Sequence, residues 1–383
     1  MQDPLRTPAA KSPAPPAPTP VIKPVAPTVA VPSAVAPPAV TPLVVSPAVD
    51  SPPANPEAIP SIAPPIGAGA ASEASTQPGA KAALLQTWVT QQKRLYEVAA
   101  PLLMKNTELC PAQSRRILGF TAKNRYSYSN DFVEAAQEVL NLDDQLQVAS
   151  VLPGSGAMLA GIKPGDILIA AGGRTLPKGP NAERASSSII AESIQGNAPI
   201  ELTVLNGADT IIVEVLLTRA CAMTIDLGNT DEVNSFADGR RVMVTRGMLG
   251  FVQSDEELAY VLAREIAANI VAPAPRPAVS AVIDRLHTLN VTATPPADYM
   301  PIVSTTSVTD AAVEKLALYM LTRAGYGIDG VASFWERLNA AHPADLRNSH
   351  AATHSLLSER LGVIERTAQT IKDKQKSNLP LKP

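Results

Sequence analysis

The clearest structural signal in the second half of the chain is SDEELAYVLAREIAANIVAP, residues 254–273. Ser254 with Glu257 three positions later is a capping-box pattern, which predicts that a helix begins here, and closely spaced prolines predict its end. At about 100° per residue its apolar side chains make one arc, and Glu265 and Asn269 lie within that arc. A carboxylate on a buried face must find partners or shift its pKa. Glu265 is therefore the first candidate for a functional residue.

Length and composition exclude several classes of protein. The 383 residues are enough for two domains and a tail. A net charge of −3 and a pI near 5.9 argue against nucleic-acid partners, and the sequence has no run of about 18 apolar residues that would predict a transmembrane segment. The opening MQDPLRTP predicts the mature start of an exported protein behind an added Met, and a cytosolic start stays open as the alternative.

Residues 1–80 are rich in Pro and Ala and hold 21 of the 37 prolines. Proline at one position in four excludes regular helices and sheet ladders, and no aromatic residue precedes Trp88 to form a core. The segment is predicted to be a disordered, polyproline-like linker. It is either a tether that holds the folded part away from a surface or a plain spacer.

The folded sequence begins near Ala80 with a helical apolar spacing, in which Pro101 predicts a break. Residues 115–218 then predict short strands and two helices, the first starting at Asn130 and the second stopping at Gly196. Two alternating strands follow, joined across the Asn-Gly pair at 206–207, which is a strong hairpin signal. The mixture predicts an α+β fold.

Within this part, PGSGAMLAGIKPGDILIAAGG at residues 153–173 resembles the PDZ domains of bacterial HtrA-type proteases. The resemblance implies that Ile117, Leu118, Gly119 and Phe120 form the loop whose backbone N–H groups receive the terminal carboxylate of a peptide. A ligand held in this way adds a strand to an exposed sheet edge. The alternative is that Leu118 and Phe120 are strand residues packed in the core.

The second half resembles the HtpX/BepA-type gluzincin zinc metallopeptidases, in the subgroup with an inserted PDZ domain. The matching segments are VNSFADGRRVMVTRGMLGFVQSDEELAYVLAREIAANI, then DAAVEKLALYMLTRAGYGIDGVASFWERL, then THSLLSERLGVIERT. In that family two histidines on one helix bind zinc, and the glutamate between them activates water. A glutamate on a second helix completes the zinc site, and an arginine and a histidine farther along the chain assist at the cleft.

Carried over to this chain, the HExxH motif is degenerate. The two histidine positions are Arg264 and Ala268, and the position of the second-helix glutamate is Asp310. Only Glu265 keeps its type, as the relict of the general base, and His354 stands in the C-terminal motif as a candidate cleft residue. A catalytic zinc needs three protein ligands and a water. The resemblance therefore implies no metal and no cofactor, with zinc as the cofactor only if the protein is an active peptidase.

A cation at position 264 suggests a substitute for the metal. We expect Arg264 to pair with Glu265 or with Asp310, so that a guanidinium takes the place of the zinc charge. His350 and His354 share the i,i+4 spacing of the missing pair, but no third ligand accompanies them. They are therefore interpreted as solvated or capping histidines.

Cys110 and Cys221 are the two cysteines of the chain. Alone they fit a reduced protein as well as a disulfide-bonded one. The resemblance places one just before the inserted PDZ domain and the other just after it, and the ends of an inserted domain must come close together. This implies a disulfide and an oxidising compartment, the periplasm of a Gram-negative cell envelope, with the signal peptide already removed. Two separately buried thiols remain the alternative.

The sequence as a whole predicts a disordered linker at 1–80, a peptidase-like domain formed by 81–112 and 220–375, a PDZ domain at 113–219, and a tail at 376–383. The leading hypothesis is a pseudo-peptidase that binds peptides or protein C-termini in envelope protein quality control. An active zinc metalloendopeptidase of the same pathway is the first alternative. A purely structural part of a larger assembly is the second.

Overall fold

The structure is a computed structural model, and it describes residues 78–272 except 129, 195 and 197, together with 307–342 and 357–383. The predicted linker lies outside the described residues except for its last three positions. The predicted cleft residue His354 lies outside them as well.

The fold is mixed helix and sheet, as the sequence predicts. The described residues form nine α-helices, which are α1 Pro78–Lys105, α2 Val133–Leu140, α3 Gly156–Leu159, α4 Ala182–Ser193, α5 Arg246–Phe251, α6 Asp255–Val271, α7 Ser307–Ala324, α8 Val331–Ala341 and α9 Leu357–Lys376. They also form eleven strands, which are β1 Ser114–Ile117, β2 Phe120–Lys123, β3 Gln147–Val151, β4 Ile167–Ala171, β5 Arg174–Thr175, β6 Ile200–Asn206, β7 Asp209–Val215, β8 Thr218–Cys221, β9 Thr224–Gly228, β10 Ser235–Ala237 and β11 Arg241–Thr245.

The middle of the chain forms an antiparallel sheet with the strand order β2-β3-β4-β6-β7, and β5 pairs with β4. Among the described strands, β2 and β7 are its two edges. Leu118, Phe120 and the buried side chains of β4 and β6 form its own apolar core. The predicted hairpin is confirmed, since β6 and β7 pair over their whole lengths and Gly207 adopts a φ of 63° in the turn. This part is called the sheet region below.

A second, helical region is formed by α1, by α2, which packs on α1, and by the chain after β8. Its three-stranded sheet has the order β10-β11-β9, and α6 packs between this sheet and the helices α1 and α7. Helix α9 packs against α7 and α8. One large apolar core runs through these elements and includes the fully buried Tyr319 of α7.

A two-stranded ribbon joins the two regions. Strand β1 pairs with β8 in antiparallel register, with Ser114 opposite Cys221 and Ile117 opposite Thr218. The predicted disulfide is confirmed, because Cys110 and Cys221 are bonded and both are buried. It closes the base of the ribbon, where the chain leaves the helical region and returns to it.

Helix α6 begins as its sequence predicts. The Ser254 Oγ accepts a hydrogen bond from the N–H of Glu257 at 3.2 Å, which satisfies one of the free donors of the first turn. The Glu257 carboxylate accepts a hydrogen bond from the N–H of Gln253 at 2.7 Å. The first turn contains three acidic residues, and their negative charges interact favourably with the positive end of the helix dipole.

Three local predictions are wrong in detail. Helix α1 continues through Pro101 to Lys105, so the loss of one backbone donor does not end it among so many buried apolar neighbours. Asn130 lies in a short 3-10 turn, and α2 begins three residues later without a side-chain cap. Helix α4 ends at Ser193, before Gly196.

Candidate functional site

A cluster of buried charged side chains lies where the resemblance places the metal. It is called the charge cluster here, and its members are Arg264, Glu265, Glu314 and Arg360, with Asp310 beside them. Arg264 Nη1 donates to Glu265 Oε1 at 2.9 Å, and Arg264 Nε donates to Glu314 Oε1 at 3.1 Å. Arg360 Nε lies 2.6 Å from the same Glu314 oxygen. The predicted pairing of Arg264 with Glu265 is thus present, and Glu314 is a second partner.

Three helices bring these side chains together. Arg264 and Glu265 lie on α6, Glu314 on α7 and Arg360 on α9, and the side chains of all four are less than a tenth exposed. Each of these four charged residues lies on the buried face of its own helix. On α9, for example, the buried residues are Arg360, Ile364, Thr367 and Ile371, which follow one another at helical spacing.

The electrostatics of the cluster keep both guanidiniums charged at neutral pH. Burial opposes the charge of Arg264, but Glu265, Glu314 and Asp310 outweigh this effect and raise its pKa. Burial lowers the pKa of Arg360 to about 10, although the Glu314 carboxylate opposes the shift. The two cations therefore offset part of the negative charge of the three acids from within the protein.

The cluster also contacts an edge strand and an aromatic ring. The Ser235 hydroxyl on β10 donates to Glu265 Oε1 at 3.0 Å, and β10 is an edge of the three-stranded sheet. The guanidinium carbon of Arg360 lies 3.6 Å from the centre of the Trp335 ring, and that of Arg264 lies 6.0 Å from it. Glu265 is thus held between an arginine and the strand edge.

The residues at the predicted metal positions do not fit zinc. Arg264 is a cation that only donates, and Ala268, one turn farther along α6, offers no ligand atom. Asp310 is buried at the start of α7, where its charge acts on Arg264. Within the described ranges, no group of three or more His, Cys, Asp or Glu side chains could hold a metal ion.

The second candidate site is the loop predicted to receive a peptide terminus, and it lies in the sheet region. It is called the terminal loop here and consists of Ile117, Leu118, Gly119 and Phe120, at the passage from β1 to β2. The side chains of Ile117, Leu118 and Phe120 are at most 2% exposed. The side chains of Leu118 and Phe120 are therefore packed in the core, as the alternative interpretation of this segment has it.

The backbone of the terminal loop is arranged differently. The carbonyl of Leu118 accepts from the N–H of Ala157 at 3.2 Å, and the carbonyl of Gly119 accepts from the N–H of Leu152 at 2.7 Å. The N–H groups of Leu118 and Gly119, by contrast, donate to no other residue that the structure describes. Two neighbouring backbone donors in buried residues thus have no acceptor among the described residues.

Gly119 is required at its position in the loop. Its φ is +89°, a conformation that L side chains rarely adopt, and a Cβ there would lie 2.1 Å from the Cβ of Ser155. The Ser155 hydroxyl in turn donates to the Gly119 carbonyl at 3.1 Å. This packing holds the loop carbonyls inward.

Strand β2 continues from the loop as an edge strand whose residues are buried, and helix α4 begins beside its far end. There Lys123 Nζ lies 3.0 Å from Glu183 Oε1, and the Asn124 side chain donates to the Gly179 carbonyl at 2.9 Å. The side chain of Lys123 is 2% exposed, so the ion pair is largely removed from water. These contacts hold the start of α4 against the end of β2.

The structure thus brings Arg264, Glu265 and Asp310 together and places the terminal loop in the other region. Sequence reasoning missed Glu314, Arg360 and Ser235. Glu314 and Arg360 were detectable by the test that singled out Glu265, because both are charged residues on the apolar stripes of their helices. No comparable signal marks Ser235.

Comparison with protein-family models gives no match, and comparison with curated proteins gives none either. Among solved structures, the crystal structure of the HtrA3 PDZ domain bound to a phage-derived ligand, FGRWV, is similar to a part of this chain. The two are 22% identical, the match covers 28% of this chain and 88% of that chain, and the TM-score is 0.20.

Proposed function

We propose that this protein is a catalytically inactive homologue of zinc metallopeptidases, and that it binds peptides or protein C-termini through a PDZ-type sheet region. The observation that carries the binding half of the proposal is the pair of backbone N–H groups at Leu118 and Gly119, which have no acceptor among the described residues. A terminal carboxylate supplies two acceptor oxygens for such donors.

The position of β2 at the edge of the sheet supports the same proposal. An extended peptide whose carboxylate lies at the terminal loop would pair with β2, because this strand has no neighbour on its outer side among the described strands. Backbone pairing supplies affinity without requiring a particular sequence, and pockets beside the strand select side chains. This suits a module that receives many different chain ends.

The charge cluster supports the inactive half of the proposal. A peptidase of this type needs histidine ligands and a free glutamate, but the candidate positions carry Arg264 and Ala268, and Glu265 already accepts from Arg264 and Ser235. Without a metal nearby, a water molecule keeps a pKa far too high for a carboxylate to activate it. A cleft of this kind would bind without cutting.

The disulfide supports an exported protein, because such bonds persist in oxidising compartments. Within the described residues, no helix has the length and apolarity needed to cross a membrane. We place the protein in the bacterial cell envelope, as an adaptor in protein quality control, in keeping with the family resemblance of the sequence.

Binding is tested with the full chain and two fluorescent pentapeptides of one sequence ending in valine, one with a free carboxylate and one with a terminal amide. The free acid should bind at least about tenfold more tightly, because the amide removes the charge that the two N–H groups receive. Equal affinity for the two peptides would exclude capture of a carboxylate terminus.

Inactivity is tested by metal analysis of the purified protein and by a casein cleavage assay. We expect neither stoichiometric zinc nor cleavage. Zinc and activity that appear only when Arg264→His, Ala268→His and Asp310→Glu are combined would support descent from a zinc site. Stoichiometric zinc with cleavage in the wild type would establish the rival function, a zinc metalloendopeptidase.

A further inference from the structure

Exposed large apolar side chains concentrate at one place on the sheet region. Seven such residues occur among those that the structure describes, and five of them lie on β7, just after it or on the adjoining helix α3, namely Met158, Leu159, Ile211, Ile212 and Leu216. Leu159 is 82% exposed and Ile212 is 65% exposed. This cluster is called the apolar edge patch, and contiguous exposed apolar surface of this kind is typical of an interaction site.

The elements of the patch are neighbours in the fold. Helix α3 lies directly against the end of β7, since a Cβ on Gly156 would come within 1.7 Å of the Leu216 carbonyl oxygen. The N–H of Gly156 also donates to the Thr218 hydroxyl at 2.7 Å. Strand β7 is an edge of the sheet, so its outward backbone groups have no partner strand among those described.

The two faces of β7 differ in composition. Ile211, Val213 and Val215 pair with Val204, Leu202 and Ile200 of β6, which are fully buried or nearly so, and therefore belong to the inner face. Thr210, Ile212 and Glu214 belong to the outer face. A strand that extends this sheet must therefore bring its apolar side to the inner face.

We propose that the patch binds a second copy of this chain, with β7 pairing antiparallel to β7 of that copy about a twofold axis through Ile212. In this register Ile211 lies opposite Val213 of the second copy, so that the apolar inner rows of the two sheets become continuous. On the outer face Ile212 meets its own counterpart, and Thr210 lies opposite Glu214. The hydroxyl can then donate to the carboxylate.

This register pairs the whole of β7 and places no two acids opposite each other. Asp209 lies opposite Val215 of the second copy, and Glu214 lies opposite Thr210, so no acid faces another acid across the new pair. A shift by one residue would place Asp209 opposite Glu214 and would join the inner face of one copy to the outer face of the other. The strand is thus complementary to itself, which is the property an isologous interface requires.

The proposed interface lies at the sheet edge opposite β2. Helix α3 of the patch also packs on the terminal loop, since the N–H of Ala157 donates to the Leu118 carbonyl. Self-association is measured without a peptide, so its test does not depend on the function proposed for that loop. If the loop does bind chain ends, a dimer would present two such sites to one partner.

Sedimentation equilibrium of the full chain tests the proposal. The wild type should show a concentration-dependent mass of two copies. Ile212→Asp should weaken the dimer on the order of a hundredfold, because the twofold axis applies each substitution twice. Leu379→Asp, at an exposed apolar residue elsewhere in the chain, is the matched control and should leave the dimer intact. Far-ultraviolet circular dichroism confirms that each variant is folded.

Cysteine cross-linking tests the register, since both natural cysteines are already bonded to each other. Directly opposite residues on antiparallel strands have Cα atoms about 4.5–5.5 Å apart, within the range of a disulfide. Ile212→Cys should therefore cross-link two copies on mild oxidation. Thr210→Cys, displaced from its counterpart by about 13 Å along the strand, should not.

Three results would overturn the proposal. They are a wild type that stays monomeric at every accessible concentration, a dimer that Ile212→Asp leaves unchanged, and cross-linking through position 210 at the rate of position 212. A monomer that instead binds a different protein at this patch would likewise exclude the second copy as its occupant.

Discussion

The charge cluster of the helical region and the terminal loop of the sheet region differ in whether their polar groups have partners within the protein. In the cluster, Arg264 donates to two carboxylates, and Glu314 receives two guanidiniums on one oxygen. In the loop, the carbonyls of Leu118 and Gly119 are satisfied internally, while their N–H groups donate to no other described residue.

This difference indicates how each region contributes. Buried charges that neutralise one another hold helices in place, and removing one of them leaves its partner uncompensated. Backbone donors without an internal acceptor are suited to receive a ligand, because the scaffold already fixes their positions. We therefore assign stability to the charge cluster and recognition to the terminal loop. Each of the following experiments tests that division.

The largest effect is expected from removal of the disulfide that joins the two regions. The bond closes a loop with a sequence separation of 111 residues. In the chain-entropy model, Cys110→Ser with Cys221→Ser should lower the free energy of unfolding by about 4–5 kcal/mol. Urea unfolding measures the change. Wild type in excess dithiothreitol is the control and should match the variant, and an unchanged midpoint would mean that packing alone holds the ribbon.

Glu314→Gln should have the next largest effect. It removes the acid shared by Arg264 and Arg360, and breaking a buried ion pair on one side costs about 3–5 kcal/mol. Glu365→Gln, on the exposed face of α9, is the control and should change stability by less than about 0.5 kcal/mol. Peptide affinity should remain the same in both variants. A Glu314→Gln protein as stable as the control would remove the stabilising role of the cluster.

Gly119→Ala should mainly affect recognition. The left-handed φ and the clash with Ser155 should cost about 1–3 kcal/mol and should displace the loop, so that the free-acid peptide no longer binds. Gly154→Ala is the matched control, since Gly154 has a φ of +76° but open space around its Cβ position. It should lose about 1 kcal/mol and keep its affinity. Unchanged peptide binding in Gly119→Ala would break the assignment of recognition to the loop.

The smallest effect concerns the ion pair between Glu257 and Arg337, which is less buried than the charge cluster. Arg337 donates to both carboxylate oxygens, at 2.9 and 2.6 Å. Burial works to raise the pKa of Glu257, but Arg337 and the Gln253 N–H outweigh it and lower the pKa below the ordinary 4.5. A lowered folded-state pKa contributes stability above pH 4.5, and this contribution is lost as the pH falls through the folded value.

Glu257→Gln should therefore destabilise the protein by about 1 kcal/mol or less at neutral pH. The difference from wild type should shrink under acid conditions. Unfolding curves at neutral pH and well below pH 4.5 measure this. A difference that stays constant with pH would show that packing, and not charge, links Glu257 to Arg337.

The features that the sequence predicted correctly have short-range causes. The cap at Ser254 and the hairpin at residues 206–207 depend on side chains and φ angles within a few positions of one another. The disulfide was predicted through the family resemblance, and the structure confirms it. Pro101 shows the limit of such reasoning, because apolar packing of α1 outweighs the local preference of one residue.

The sequence alone predicts the order of strands and helices, the buried position of Glu265 and the absence of histidines at the positions where the resemblance would place metal ligands. The tertiary structure was needed to show that Glu314 and Arg360 complete the charge cluster and that the terminal loop keeps two backbone donors without internal partners. Arg264 and Glu314 lie 50 residues apart. Their meeting depends on how α6, α7 and α9 pack, and helical periodicity identifies the buried face of each helix but not the residue that it meets.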